Sequence, residues 1–491
     1  PIVAIGLALL TKETYSSLFI GIVVGALLAT DFSPIGALDT IINDGLTAAI
    51  ADNAGIFLFL VILGVMVALV NATGGSAAFG RWAASHIHSK AGALLATFAL
   101  GVLIFIDDYF NCLTVGSVMT PVTDSQRISR VKLAYLIDAT AAPICMIAPI
   151  SSWAAAVSGV AAKLDTGVSG IQLFIEAIPY NFYSLLTIVF VITMVVLGVD
   201  YGPMAAAELK AAQTGDLGAL SEEQEEGSSR ANMWDMLIPI ILLIIFCVIG
   251  LIYVGGFWDP ETNAGDFIAA FGDTDAFVGL PWGALIALVL SIIYLCARRV
   301  ITFKGAMGCM TKGFNAMVPA ILILTFAVSL KSMTGLLGAA DYVEGLMKQA
   351  SEGLFMLLPA IIFVVACLLA FATGTSWGTF GILIPIVLPI FNAAPDLQIM
   401  GISACLAGAV CGDHCSPISD TTIMASAGAN CNHIDHVSTQ IPYAVTVAAI
   451  CFVNYILAAF IRNVVISLAI GVVMVIGTLL VIRSVQSRKT A

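Results

Sequence analysis

The sequence has 491 residues, of which 60% are hydrophobic and 10% are charged, and its mean hydropathy is +1.04. Soluble globular domains carry about 25% charged residues, so this composition excludes an ordinary soluble protein and indicates a polytopic membrane protein. The net charge of −12 argues against nucleic acid as a partner.

Apolar segments long enough to enter or cross a bilayer recur along the whole chain. They are predicted at residues 2–10, 15–30, 55–71, 91–121, 132–160, 171–199, 236–254, 276–297, 316–330, 353–391, 397–427, 440–461 and 464–482. Basic residues favour the cytoplasmic side of a membrane, and those expected there are Arg127, Arg130, Lys132, Arg298, Arg299, Lys304, Lys312, Arg483, Arg488 and Lys489. This assignment is self-consistent only if segments 91–121 and 353–391 are re-entrant hairpins that open to opposite sides.

The first predicted hairpin, 91–121, is interrupted by the polar sequence FIDDYFN. Asp107 and Asp108 lie at its tip, with Asn111 and Thr114 on the following turn. Adjacent residues of a helix point about 100° apart, so we expect one of the two carboxylates to face a cavity. The alternative is that both lie in water at the hairpin tip.

The next segment, 132–160, contains DATAAPICMIAPISS and is predicted to be a broken helix. Asp138 precedes Pro143, and Ser151 and Ser152 follow a second proline. Proline removes a backbone N–H and clashes with the preceding turn, which leaves carbonyl groups free to contact an ion in a cavity. The polar segment 201–235, with EEQEEGSS at 222–229, is then predicted to be a cytoplasmic linker between two repeats at residues 1–200 and 236–491.

The second half repeats this order. Residues 353–391 form the second predicted hairpin, with Thr375, Ser376 and Trp377 in its polar centre. Trp377 is interpreted either as a packing residue or as part of a pocket for an organic substrate.

The second predicted broken helix, 397–427, contains the most polar stretch of the apolar chain, CGDHCSPISDTTIMASA. It carries Asp413, His414, Asp420 and the hydroxyl residues Ser416, Ser419, Thr421 and Thr422. Each ionisable group at the centre of a bilayer costs about 2.5–3.5 kcal/mol on insertion scales, so these groups are expected to face a cavity or one another.

Repeated halves with interrupted hydrophobic segments at matching positions are typical of secondary transporters whose site lies near the membrane midplane. We therefore predict an all-helical membrane protein of two inverted repeats. Asp138 and Asp413 occupy matching positions and are expected to share one central chamber. The alternative role for each carboxylate is to cap a helix or to satisfy backbone groups.

The sequences GDHCSPISDTT, GTSWGTFGILIPI and FIDDYFN resemble those of the NhaC-type sodium/proton antiporters, which belong to a larger ion-transporter superfamily. The resemblance covers nearly the whole chain. It implies a sodium/proton antiporter of the inner (plasma) membrane of a bacterium, and a homodimer with a scaffold part and a moving transport part. Similar proteins also carry amino acids and small organic acids, so an ion-coupled carrier of such a solute is the alternative.

Sodium prefers hard oxygen ligands, and a carboxylate removed from water can hold either a proton or a cation. The predicted sodium ligands are Asp138, Asp413, Ser416, Ser419 and Asp420. The full set of candidate ion- or substrate-binding residues is Asp107, Asp108, Asn111, Thr114, Asp138, Ser151, Ser152, Thr375, Ser376, Trp377, Asp413, His414, Ser416, Ser419, Asp420, Thr421 and Thr422. No cofactor is expected beyond the transported Na+ and H+.

A second set of residues has the composition of a zinc site: Cys411, His414, Cys415, Cys431, His433 and His436. This set leaves a metal-dependent membrane enzyme as an alternative from another class. The hydroxyl-rich surroundings suit sodium better than a transition metal, and residues 433–436 are interpreted as a polar loop after the broken helix. His414 is predicted either to relay protons beside Asp413 or to bond to the backbone.

Overall fold

The structure is a computed structural model that describes residues 2–11, 14–75, 78, 82, 86–87, 89–105, 108–148, 151, 153, 157, 170–220, 231–338, 356–390 and 395–490. Within these ranges the chain is helical, and its only β-type pairing is an isolated bridge between Ala219 and Cys431. The all-helical prediction is confirmed, whereas the inverted relation of the two halves stays a prediction.

The α-helices of the described ranges are numbered in chain order. They are α1 Ile2–Thr11, α2 Thr14–Ala29, α3 Pro34–Thr40, α4 Ala48–Asp52, α5 Ala54–Thr73, α6 Lys90–Leu103, α7 Asp108–Ser125, α8 Arg130–Thr140, α9 Ala142–Cys145, α10 Gly170–Ala177, α11 Phe182–Leu197, α12 Gly202–Thr214, α13 Trp234–Val254, α14 Phe267–Gly272, α15 Ala276–Ala297, α16 Phe303–Leu336, α17 Leu358–Thr373, α18 Ser376–Ile390, α19 Pro395–Cys415, α20 Asp420–Gly428, α21 His433–Ile461 and α22 Val464–Thr490. A π-helical turn, Ile41–Thr47, joins α3 to α4, and a 3-10 turn, Ile178–Tyr180, precedes α11.

Four single helices of the described chain are long and apolar enough to cross a membrane, at Trp234–Val254, Phe277–Ala297, His433–Ile461 and Val464–Gln486. Three bent pairs pass the same test: Pro34–Asp52 with Phe57–Thr73, Leu173–Tyr180 with Phe182–Leu197, and Leu397–Cys415 with Asp420–Gly428. Large apolar side chains such as Ile245 on α13, Leu285 on α15 and Val473 on α22 are exposed at the protein surface. We infer that these faces contact lipid.

The described helices pack in two groups. Helices α1–α5 and α13–α16 pack mainly with one another, and helices α6–α12 and α17–α22 form the second group. The main contact between the groups is made by α16, which packs against α17 and α20. Both predicted broken helices belong to the second group, so the polar segments of the two halves lie in one body.

The segment predicted as a linker is partly helical and is packed against the second group. Its helix α12 buries Glu208, whose carboxylate accepts a hydrogen bond from the backbone N–H of Ser129 at 2.7 Å. The backbone N–H of Arg130 donates to the carbonyl of Leu217 at 2.8 Å. Residues 202–217 therefore fix the start of α8, while the acidic sequence 222–229 lies outside the described residues.

The interpretation of residues 433–436 as a loop is wrong, because α21 begins at His433. The side chain of Asn432 accepts a hydrogen bond from the N–H of Asp435 at 3.1 Å and caps this helix. The consequence is that His436 is a buried helical residue.

Candidate functional site

Both predicted helix breaks are present. Helix α8 ends at Thr140, where Ala141 leaves the helical conformation with ψ of −97°, and α9 starts before Pro143. Helix α19 ends two residues before Pro417, and α20 continues at an angle of 50°. Proline cannot donate to the preceding turn and its ring clashes with that turn, which explains why both helices stop shortly before a proline. At the second break the residue before the proline, Ser416, is also non-helical.

The first break is packed against the polar centre of the first hairpin. The amide nitrogen of Asn111 donates to the carbonyls of Gly101, Ile104 and Thr140 at 2.7, 2.9 and 3.1 Å. These carbonyls lie at the ends of α6 and α8, where helices leave such groups without partners. Asn111 therefore supports the two helix ends, and its role as an ion ligand stays a prediction.

The second break is packed against the second hairpin in a comparable way. The hydroxyl of Ser416 donates to the carbonyl of Phe371 at 2.8 Å. Gly374 has a φ of +64°, and a Cβ at this position would lie 2.4 Å from the carbonyl oxygen of Ile418. Only glycine allows both this backbone conformation and this close approach.

We expect Gly374→Ala to destabilise the protein by about 2 kcal/mol, because the methyl group meets the Ile418 carbonyl in addition to the cost of a positive φ. Gly215→Ala is the matched control, since Gly215 has a φ of +75° and no atom within 4 Å of its Cβ position. Thermal unfolding of the two purified variants in detergent measures the difference. Equal losses would contradict a tight contact between hairpin and break.

Asp138 lies in the last turn of α8, just before the first break, and in space it faces the second break. Its side chain is 2% exposed. Its Oδ2 accepts a hydrogen bond from Nε2 of Gln440 at 2.9 Å, and the same nitrogen lies 2.5 Å from the carbonyl oxygen of His414. Nε2 of His414 and Nε2 of His436 are each 3.9 Å from Oδ2 of Asp138. A carboxylate from the first half thus contacts residues that flank the break in the second half.

Asp413 and Asp420 lie on either side of the second break. Asp413 is 2% exposed; its Oδ2 accepts from the hydroxyl of Ser376 at 2.5 Å, whereas its Oδ1 is buried without a hydrogen-bond partner. Oδ2 of Asp420 accepts from the hydroxyl of Tyr109 at 2.5 Å. Asp420 is only partly buried. Its carboxylate interacts electrostatically with both Asp413 and Asp138, so two buried carboxylates and one partly buried carboxylate lie in one region.

Asp108 is held at the start of α7, where the helix dipole favours a negative charge. Its Oδ2 accepts from the indole nitrogen of Trp153 at 2.9 Å. The rings of Trp153, Trp377 and Phe380 are packed with centroids 5.4–6.0 Å apart. The indole nitrogen of Trp377 is buried without a hydrogen-bond partner, so this aromatic cluster contains one free donor.

Several predicted hydroxyl ligands bond to the backbone. Ser419 caps α20 by accepting from the N–H of Thr422 at 3.2 Å, and its oxygen lies 3.1 Å from Oγ1 of Thr421. Thr375 accepts a hydrogen bond from a backbone N–H in the first turn of α18. The hydroxyl of Ser151 donates to the carbonyls of Cys145, at the end of α9, and Ala148. By contrast, Oγ1 of Thr422 is buried without a hydrogen-bond partner. Asp107, Ser152 and the side chain of Thr114 lie outside the described residues.

The residues of the alternative zinc set are Cys411, His414, Cys415, Cys431, His433 and His436. In the described part of the chain, no three His, Cys, Asp or Glu side chains form a group that could hold a metal ion. Nε2 of His433 lies 2.8 Å from the carbonyl of Pro417, and Oγ of Ser426 lies 3.0 Å from Nδ1 of His433 and 2.8 Å from Nδ1 of His436. Nδ1 of His414 lies 2.8 Å from the hydroxyl of Tyr183.

The buried basic side chains of the described residues are both paired. Lys132 forms an ion pair with Asp200, and Arg130 forms a bidentate pair with Asp124 at 2.8 Å. Neither is a free cation for a substrate carboxylate.

Four residues of this region were not predicted from the sequence: Tyr109, Trp153, Tyr183 and Gln440. His436 was considered only as a possible zinc ligand, and its place beside Asp138 was not predicted. A signal for His436 and Gln440 is present in the sequence. His436 and Gln440 are four residues apart in an apolar stretch, which places them on one face of a helix. The assignment of 433–436 to a loop concealed this polar face.

The sequence model of the Na+/H+ antiporter family matches residues 144–460. An uncharacterized protein of Haemophilus influenzae is 37% identical over 475 residues, which cover 94% of this chain and 90% of that protein. The arginine/ornithine antiporter ArcD of Halobacterium salinarum is 26% identical over 239 residues, 48% of this chain and 44% of that protein. The malate-2H(+)/Na(+)-lactate antiporter of Bacillus subtilis is 26% identical over 198 residues, 40% of this chain and 42% of that protein.

Proposed function

Because this chain belongs to the Na+/H+ antiporter family, we propose that it exchanges Na+ for H+ across the inner (plasma) membrane by alternating access at buried carboxylates. The observation that carries this proposal is the convergence of Asp138, Asp413 and Asp420 on two helix breaks. Oxygen ligands dominate this region, as sodium requires.

The proposed exchange follows from the cost of burying a charge. An ionised carboxylate removed from water is strongly disfavoured unless a proton or a cation neutralises it. A buried carboxylate such as Asp138 therefore holds either H+ or Na+, and binding of one releases the other. If the transport group moves only with a neutralised site, the flows of the two ions are coupled.

The proposed sodium ligands are the carboxylates of Asp138, Asp413 and Asp420, with the hydroxyl oxygens of Ser416 and Ser419. The unpartnered Oδ1 of Asp413 supports this assignment, because a buried carboxylate oxygen without a hydrogen-bond partner is costly. Ser416 and Ser419 bond to backbone groups, but a hydroxyl oxygen has two acceptor lone pairs and can still contact a cation.

A proton route toward Asp138 is supported by a row of side chains on α20 and α21. His436 lies 3.9 Å from Asp138, Ser426 contacts His436, and His433 contacts Ser426. His433 is partly exposed. These groups can each donate and accept protons.

The proposed oligomer is a homodimer held by helices α1–α5 and α13–α16. The separate packing of these helices supports this division, since the second group holds the carboxylates and would move relative to the first.

Transport by purified protein in liposomes tests the function. A sodium pulse at constant external pH is expected to move protons in the opposite direction with no organic solute present. Empty liposomes and a potassium pulse of equal ionic strength are the controls. Proton movement that requires an added amino acid or carboxylic acid would contradict sodium/proton antiport.

That second outcome would support the alternative, an ion-coupled carrier of an amino acid or small organic acid. Two relatives are described as exchangers of arginine and ornithine and of malate and lactate. The free indole donor of Trp377, beside the rings of Trp153 and Phe380, is a suitable contact for such a solute.

A further inference from the structure

Gln440 is placed between the two broken helices. It lies on α21, is 0% exposed, and its amide nitrogen contacts Oδ2 of Asp138 and the carbonyl of His414. His414 is in the last turn of α19, whose carbonyls have no partner within the helix. One amide nitrogen thus connects the carboxylate of the first half to the helix end of the second half.

The orientation of this amide follows from its neighbours. A backbone carbonyl is always an acceptor, so the contact to the His414 carbonyl identifies the NH2 group, and the same nitrogen faces Oδ2 of Asp138. The other amide atom, Oε1, is buried without a hydrogen-bond partner. A buried acceptor without a hydrogen bond costs about 1–3 kcal/mol. In this orientation, therefore, the amide of Gln440 does not make all of its possible hydrogen bonds.

The amide nitrogen of Gln440 occupies a position that is suitable for a cation. A carboxylate oxygen and a free backbone carbonyl oxygen directed at one point are hard ligands of the kind that bind alkali and alkaline-earth cations. In the present state a hydrogen-bond donor fills that point. A sodium ion can occupy it only if the NH2 group leaves.

His436 supplies a partner for the displaced NH2 group. It lies one helical turn from Gln440, and its Nε2 is 3.9 Å from the same Asp138 oxygen that Gln440 contacts. Within hydrogen-bonding distance this buried Nε2 has no partner. The hydroxyl of Ser426 lies 2.8 Å from both the carbonyl of Thr422 and Nδ1 of His436. In the tautomer of His436 that carries its proton on Nδ1, Nδ1 donates to Ser426 and Nε2 is an acceptor.

We propose that Gln440 is an amide switch that competes with sodium at the Asp138 carboxylate and then becomes a sodium ligand. In the sodium-free state its NH2 group bonds to Asp138 and His414. When sodium enters, a half-turn about the last side-chain bond, whose rotation is broad and roughly two-fold, directs Oε1 at the ion. The same rotation directs the NH2 group at Nε2 of His436, so both orphaned atoms gain partners.

This inference rests on the proposed exchange of sodium for protons and adds a specificity-determining residue to it. The switch predicts that two substitutions have different effects. Gln440→Leu removes the competing NH2 group and the ligand oxygen together, so the two effects oppose each other and the KM for sodium is expected to stay within about threefold of the wild-type value. Gln440→Glu replaces the competing donor with an oxygen, so the KM for sodium at alkaline pH is expected to fall about tenfold.

The experiment measures the KM for sodium of purified wild-type protein and both variants in liposomes, with thermal unfolding as a check of folding. Gln126→Glu is the matched control, because Gln126 makes a partly buried contact to the Ile87 carbonyl outside the site, and its KM is expected to be unchanged. If both Gln440 variants raise the KM or both unfold, Gln440 is a structural connector and the switch is rejected. If the wild-type protein moves no protons in response to sodium, the proposed function itself fails.

Discussion

Asp138→Asn is expected to reduce sodium-driven proton movement by about 100-fold, the effect of removing a charged partner from a buried site. Asparagine keeps the size of the side chain and an oxygen that can accept from Gln440, so the packing around it is retained. The asparagine side chain has no titratable proton, and it carries no negative charge for a sodium ion to neutralise. Initial rates of proton movement after a sodium pulse in liposomes give the measurement.

Asp413→Asn is expected to have the same effect, because its Oδ1 faces the buried region without a partner. Asp216→Asn is the control for the loss of one carboxylate, since Asp216 is an exposed residue after α12 that bonds to Lys210 and Gly218. Transport by this control is expected to equal that of the wild-type protein. Undiminished exchange in both Asp138→Asn and Asp413→Asn would reject the proposed site.

Lys132→Met is expected to lower the free energy of unfolding by about 3 kcal/mol, the lower end for breaking a buried ion pair, since Asp200 is partly exposed. Lys132 is 1% exposed, pairs with Asp200 and lies 5.2 Å from the ring centroid of Tyr443. Methionine fills a similar space but carries no charge. The carboxylate of Asp200 then keeps its hydrogen bond from the Tyr443 hydroxyl at 2.7 Å but loses its positively charged partner. Chemical or thermal unfolding in detergent measures the loss.

The double variant Lys132→Met with Asp200→Asn is the matched control, because it removes the charge that the single variant leaves uncompensated. We expect it to regain most of the lost stability. A single variant as stable as the wild-type protein would show that the pair does not fix α8 against the start of α12. The transport rate per folded molecule should be unchanged in the double variant, since neither residue contacts the proposed sodium ligands.

Local chemistry made the helix breaks predictable. Pro143 and Pro417 lack the backbone N–H that a continuous helix needs, and the neighbouring Asp138 and Asp413 are too costly to expose to lipid. These properties act over a few residues, so they are visible in the sequence. The approach of the two breaks to a common region was also predictable, because repeated segments in transporters build one site.

The partners of the carboxylates were not predictable, because they come from distant parts of the chain. Tyr109 bonds to Asp420 across a separation of 311 residues, and Gln440 bonds to Asp138 across a separation of 302 residues. Nothing in the sequence near Asp138 indicates an amide partner. Such contacts depend on the packing of α7, α8, α20 and α21 in three dimensions.

Hydroxyl residues show a second limit of prediction. Ser416 and Ser419 were selected as sodium ligands because of their oxygen atoms, but in the structure each first satisfies a backbone group at a helix end. Serine before an apolar helix is equally typical of a cap. The sequence alone does not separate these two roles.

The most direct test of the shared site is the release of protons when purified protein binds sodium in weakly buffered detergent solution. We expect sodium, and not potassium, to release protons from the wild-type protein, and we expect no release from Asp138→Asn. Sodium binding without proton release, or release that is unchanged in Asp138→Asn, would contradict competition between the two ions at the carboxylates of the broken helices.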